Sequence, residues 1–568
     1  MDFPLRLSLS TRPLAFWAFL TSCAFLLSLP LGPGPLNAAV ARPFTIGTVG
    51  SLGELIPLKQ YAGGASGINM LVNPPMLFFQ GSGRISCVLC KEPPETSLRR
   101  SGKKGPSQLV ISLVLKKNLR WGDGQPLTRD DIKFTLEFMA KGDYPKGQHP
   151  IVPIKRIEFP KEDEREIDLI LMHRRSDAAQ LFAISLLPRH KEEVLKKLLT
   201  LKPEDAEYQK LLRDPGLYYG SYSVAQASSQ SLQLVPNREN EWEGSPNTEL
   251  ALRYFPKLSQ LAQAMDKGEI DQTFTGELHW DDYLELKEAM PSLSQKFEAQ
   301  FTASENLELI LLNMRSPLLV NPSMRQAILH AIDREALNKL AFQGGGLTTD
   351  GVFNPEQSRR SGEKLSPVYR PDLSEQLLEQ ANWKKREDGW RYNEKGDRLT
   401  ISLSCTEERL KSAWAKPVLS DLQKIGVELK LDLIPKAEFS RQTLGHLRFK
   451  DAACVRWKLP PLSPPIHLFH GLAIPTSENA YTGLNYSGWE QTAVNRLLES
   501  MMREPETGHL IRLFSRLERH FLSDVPGVPL IYIPDVTLVR KADPDSSVQE
   551  LQKALAAYPS QRSQRSQF

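Results

Sequence analysis

The stretch at residues 306–337, NLELILLNMRSPLLVNPSMRQAILHAIDREAL, limits what this chain can fold into more than any other part of it. Residues 307–312 form a short apolar run that reads as a buried strand. Asn321 then supplies an N-cap oxygen, and Pro322 a first helical residue whose missing N–H has no partner to lose. Beyond them Met324, Ala327, Ile328, Ala331 and Ile332 recur at i, i+3, i+4, i+7 and i+8, so one face of the predicted helix is apolar and must be covered. Asp333 stands where it can cap a second helix.

Strand, Asn, a Pro-containing loop and a helix of the form R-Q-A-x-x-x-A-I-D-R-E-A-L resemble the family 5 extracellular solute-binding proteins. Arg325-Gln326-Ala327 and Ala331-Ile332-Asp333-Arg334-Glu335-Ala336-Leu337 carry the likeness. A second match is LKKNLRWGDGQPLTRDDIKFTLE: a turn at Gly122-Asp123-Gly124, then a helix capped by Thr128 with Asp131 at its third position. Its role in the family is architectural, closing one corner of the first lobe. Leu187-Pro188-Arg189-His190, Gly220-Ser221-Tyr222, Trp242-Glu243-Gly244 and Gly268-Glu269-Ile270-Asp271 follow in the family's order. So do a helix ending in K-I-G-V at 424–427, an alternating strand at 427–433, and Asp524-Val525-Pro526 before Val528-Pro529-Leu530.

The resemblance covers about 44–541. It implies an α/β, two-lobed periplasmic binding protein type II-like fold with an extra subdomain in the first lobe. The expected division is 42–303 for the first lobe with its subdomain, 304–500 for the second α/β lobe and 501–542 for the return, with the crossing near 301–306. The implied function is a periplasmic receptor that captures a peptide-like or other small solute by hinge closure and delivers it to the membrane subunits of an ABC importer. Two alternatives are a sensor or assembly factor on the same fold, and a hydrolase or redox enzyme.

Export is predicted independently. Arg6 and Arg12 precede an apolar region at 14–31, and Ala39-Val40-Ala41 has the small-x-small form of a signal-peptidase site, so 1–41 reads as a signal peptide. A rival processing site, Leu20-Thr21-Ser22-Cys23, would instead anchor a lipoprotein through Cys23. The Ser/Gln/Arg-rich tail at 543–568 reads as mostly disordered. A net charge of +4 from 71 basic and 67 acidic residues leaves no footprint for nucleic acid. In an oxidising compartment Cys87, Cys90, Cys405 and Cys454 can form two bridges, which chain proximity pairs as Cys87 with Cys90 and Cys405 with Cys454.

A nucleophile elbow, a Walker loop, a zinc-protease motif and a dinucleotide fingerprint are all missing from the sequence, so no catalytic residue and no cofactor is assigned. Asp130-Asp131 and Asp281-Asp282 are adjacent pairs whose side chains point apart, which suits a solvated face. His467 and His470, with Cys454 upstream, have a spacing that can share a metal ion, against which packing is the stronger reading. The ligand-binding candidates are Arg456, Trp457 and Lys458, with Tyr481, Asn485 and Tyr486. Peptide-binding family members write W-x-x-D-x-x-D-P here and pair an aspartate with the peptide's ammonium, whereas this chain has no carboxylate at 456–465. The departure implies that free-amine peptides bind poorly and that a carboxylate-bearing or N-blocked solute, stacked on Trp457 and on Tyr481 or Tyr486, binds better.

Overall fold

The computed structural model describes residues 43–541 apart from 51–65, 80–84, 101–106, 141–153, 161–163, 172–183, 241–247, 275–277, 356–357, 359–367 and 412–413. The expected signal peptide, Cys23, Trp242 and the tail beyond 541 lie outside the described residues.

In chain order the principal elements are β1 (Phe44–Val49), β2 (Glu95–Arg100), β3 (Ser107–Val114), α1 (Arg129–Ala140), β4 (Ile154–Glu158), β5 (Glu166–Leu171), β6 (Tyr222–Ala227), β7 (Ser231–Pro236) and β8 (Leu250–Phe255). They continue with α2 (Leu258–Asp266), α3 (Trp280–Ala289), β9 (Phe297–Leu312), α4 (Pro322–Ala331), α5 (Arg334–Phe342), α6 (Pro371–Gln380) and β10 (Thr400–Cys405). The last are α7 (Glu407–Lys411), α8 (Ala415–Lys424), β11 (Glu428–Leu433), β12 (Ala452–Lys458), α9 (Thr492–Arg503), α10 (Thr507–Asp524) and β13 (Gly527–Arg540).

One 12-stranded sheet runs through the molecule: ten strands follow the order β11-β10-β12-β9-β13, then the short strand Gln272–Thr273, then β1-β8-β7-β6, and the short strands Leu278–His279 and Leu347–Thr348 also pair with β13. Pairing is parallel for β1 with β8 and for β10 with both β11 and β12, as expected of strands joined by helices. The two halves are connected by β9 and β13, which pair antiparallel from Phe297↔Arg540 to Leu311↔Gly527. The register between them breaks at Ala303/Leu307 and again at Glu308/Leu309. From the sequence only 307–312 reads as strand, because Glu298, Gln300 and Ser304 interrupt the apolar pattern before it. The ladder with β13 extends that strand to 16 residues.

A separate four-stranded antiparallel sheet, β2-β3-β5-β4, forms the extra subdomain around its own core of Leu109, Ile111, Trp121, Ile132, Ile167 and Leu169. The corner at 115–137 joins it to the rest as the capping residues dictate. The Thr128 N–H donates to Asp131 Oδ2 at 2.8 Å, and Asp131 Oδ1 accepts from the Arg189 N–H at 3.1 Å. The Cys87–Cys90 disulfide lies in this subdomain, with Cα atoms 5.3 Å apart.

The opening stretch forms the elements its caps and periodicity predict. Asn321 Oδ1 accepts from the Ser323 N–H, Asp333 Oδ1 accepts from the Ala336 N–H, and Met324, Ala327, Ile328, Ala331 and Ile332 are all buried. The signature arginines are structural fasteners. Arg325 donates to the carbonyls of Leu319, Val320 and Asp524, and Arg334 to those of Ile332, Leu329 and Pro529, tying α4 to the end of α10 and α5 to the start of β13. Strand β11 alternates as its sequence does, but at the sheet edge Leu433 remains exposed and only Leu429 and Leu431 pack inward.

Candidate functional site at the crossing strands

Alternation along a strand decides which of the residues at 456–458 can act together. Opposite them, β9 places Glu308 against Arg456, Leu307 against Trp457 and Asn306 against Lys458. Leu307, Leu309, Leu311, Ala453, Val455 and Trp457 belong to one core, which α9 and α10 cover. Ile310, Leu312, Ala452 and Cys454 belong to the core on the other face, beneath α4, α5 and α8. Arg456 and Lys458 therefore project to the second face and Trp457 to the first. The three candidate side chains therefore do not share one face of β12.

On the second face the charges are paired. Glu308 is fully buried, and its carboxylate accepts from Arg456 Nε at 3.0 Å and from Arg409 Nη1, in α7, at 3.2 Å. Arg456 reaches further, to Asp281 in the first turn of α3 at 3.3 Å. Burial alone pulls the Arg456 guanidinium toward its neutral form, yet the carboxylates of Glu308 and Asp281 outweigh it and hold the group above its ordinary pKa. Two residues on, Lys458 Nζ lies 3.6 Å from Glu305, whose carbonyl also accepts from the Leu459 N–H. Asp281 is thus an ion-pair partner rather than part of a merely solvated pair, and Asp282 receives the His279 N–H at 3.1 Å in a capping box. Both cations face carboxylates from distant parts of the chain.

On the first face Trp457 is 4% exposed and meets Phe469 edge-on at 5.3 Å, while its indole N–H has no hydrogen-bond partner. Tyr486 packs against the same core, and burial raises its phenol pKa. Asn485 is fully buried and spent on the fold. Its amide donates to the carbonyls of His470 and Trp489, and its oxygen accepts from Ser487 Oγ, so it braces the loop. Tyr481 stands apart on the surface, its ring centroid 4.1 Å from that of His446, in a left-handed backbone conformation at φ 58°.

Cys454 is bonded to Cys405 across the parallel neighbours β12 and β10, with Cα atoms 5.1 Å apart. His470 Nδ1 accepts from the Leu472 N–H, and burial lowers the pKa of His467. Among the described residues there is no group of three or more His, Cys, Asp or Glu placed to hold an ion. Sequence reading missed Glu305, Glu308, Asp281 and Arg409. The one available signal was Glu308 itself, a carboxylate set inside an apolar run that must be buried, which requires a cation opposite.

Two sets of α/β elements joined by paired crossing strands, with one four-stranded subdomain attached, define a two-lobed binding-protein fold. A family model, the bacterial extracellular solute-binding proteins, family 5 Middle, matches residues 95–458, and the chain belongs to that family. The oligopeptide-binding protein AppA of Bacillus subtilis is 21% identical over 455 residues, covering 77% of this chain and 78% of its own length. Among solved structures, an ABC transporter substrate-binding protein from Sinorhizobium meliloti shares the fold at a TM-score of 0.67 and 16% identity, covering 88% of this chain and 95% of its own. NikZ from Campylobacter jejuni in complex with Ni(L-His) does so at 0.56 and 18%, covering 88% and 94%.

Proposed function

We propose that this protein is an exported receptor that captures a small, peptide-like solute between its lobes and presents the closed form to the membrane subunits of an ABC importer. The observation that carries the reading is the pair β9 and β13. These are long strands that connect the two halves and lose register with each other at Ala303/Leu307 and Glu308/Leu309, where a hinge can bend without unpairing either lobe. Lobe interfaces are where solutes of this size bury most of their surface. Membership of an extracellular family and the Ala39-Val40-Ala41 processing site support export, and the relative named for oligopeptides supports the solute class. We assign 42–303 to the first lobe, 304–500 to the second and 501–542 to the return.

The test has two parts. Small molecules released from the purified protein on denaturation are identified by mass spectrometry, then returned to refolded, ligand-free protein under small-angle scattering. Closure predicts a smaller radius of gyration with solute bound. An unchanged radius with proven binding overturns the hinge, and unimpaired uptake of that solute in a strain lacking the gene overturns the importer role.

A further inference from the structure

Six side chains around the crossing strands pair in two groups. Glu308 takes Arg409 and Arg456, Asp281 takes the far end of Arg456, and Glu305 takes Lys458. Three carboxylates thus face three cations and the set is electrically neutral. Its inner node, Glu308, is out of reach of solvent, whereas Lys458 is 20% exposed, Glu305 34% and Asp281 47%. Lys458 sits at the end of β12 and Glu305 beside the register break of β9, where the two halves meet, while Asp281 reaches Arg456 from the first turn of α3.

A solute with a free ammonium brought to this wall finds Glu305 and Asp281 already engaged by Lys458 and Arg456. A solute with a free carboxylate finds the same two cations engaged. Either must separate an ion pair already made within the chain, whereas an amide or hydroxyl end needs no such exchange and loses less on leaving water. We infer that Lys458 and Glu305 are specificity-determining residues of the solute site: their mutual pairing shuts this wall to charged termini, and the receptor selects peptide-like solutes whose end here is uncharged. This deepens the receptor reading above and rests on it.

The test presents the mature, ligand-stripped protein with an equimolar library of tri- to pentapeptides in three end states: both ends blocked, free amine only, and free acid only. Retained peptides are counted by mass spectrometry. The wild-type protein is expected to enrich doubly blocked peptides roughly tenfold over either charged form, a difference near one ion pair's worth of selectivity. Lys458→Met, which leaves Glu305 without that ammonium, shifts retention toward free amines. Glu305→Gln shifts it toward free acids. The exchanged pair Lys458→Glu with Glu305→Lys restores the blocked preference and shows that the single variants did not act through misfolding. Retention of free-amine and blocked peptides alike by the wild type, or single variants that leave the ratio unchanged, overturns the inference alone. Retention of no peptide in any end state overturns the peptide-receptor reading together with it.

Discussion

Glu308 and Arg456 stand directly opposite each other on β9 and β12, and the fully buried carboxylate accepts from the arginine Nε at 3.0 Å. With Arg409 on its other side, this single acid holds two guanidinium groups in place. Glu308→Gln removes the buried counter-charge of both guanidinium groups, leaving Arg456 only the half-exposed Asp281, and is expected to destabilise the protein by about 3 kcal/mol, the range found when one partner of a buried pair is removed. Urea denaturation checks it. A loss below about 1 kcal/mol would mean that solvent compensates the arginines as well as the carboxylate does.

The Cys405–Cys454 bridge closes a loop of 49 residues between buried strands. The double variant Cys405→Ala with Cys454→Ala should lose about 3 kcal/mol, since the bridge chiefly restricts the unfolded chain. If the oxidised wild type and the double variant share a denaturation midpoint, the strand ladder alone supplies the stability of this region.

Asp123 gives the corner of the extra subdomain an acid limit. Burial pushes its pKa up, but the hydrogen bond from His190 at 2.9 Å, the Gln125 N–H and the Lys191 ammonium outweigh this and hold it below its ordinary value of 3.8. The unfolded chain then binds the proton more readily. The contribution is present above pH 3.8 and is lost as pH falls through the lower, folded value. Asp123→Asn is expected to cost about 1 kcal/mol at neutral pH and less in strong acid. An equal cost at both pH values, by thermal melting, would assign the effect to turn geometry instead.

Arg334 is buried among backbone carbonyls, and desolvation lowers its pKa to about 10. Lysine keeps the charge but cannot fork to Pro529, Ile332 and Leu329 together. Arg334→Lys is expected to lose about 2 kcal/mol, read by chemical denaturation, because the carbonyls of Leu329 and Ile332 at the end of α4 lose their donors. Retained stability would show that a single ammonium contact at Pro529 suffices.

Much of the architecture was legible in the chain. The caps at Thr128, Asn321 and Asp333, and the 3.6-residue repeats through α4, α9 and α10, are local signals, and each formed the element it specified. The site was much less legible. Asn485 stands in a recognisable motif but its amide serves the loop, and Tyr481 and Trp457 lie in the same part of the sequence yet do not share a surface.

The sequence by itself determined the helices, the turns and the order of the family's signatures, because those depend on residues close together in the chain or on spacing alone. Only the tertiary structure decided what Arg456, Trp457 and Lys458 can do. Their alternation across β12 follows once the strand is paired. The carboxylates that compensate them, Glu308 and Asp281, come from 148 and 175 residues away, and Glu305 from the same distant strand as Glu308. No local pattern encodes a partner at that distance. It is fixed by the register between β9 and β12, which the burial of two opposite faces sets.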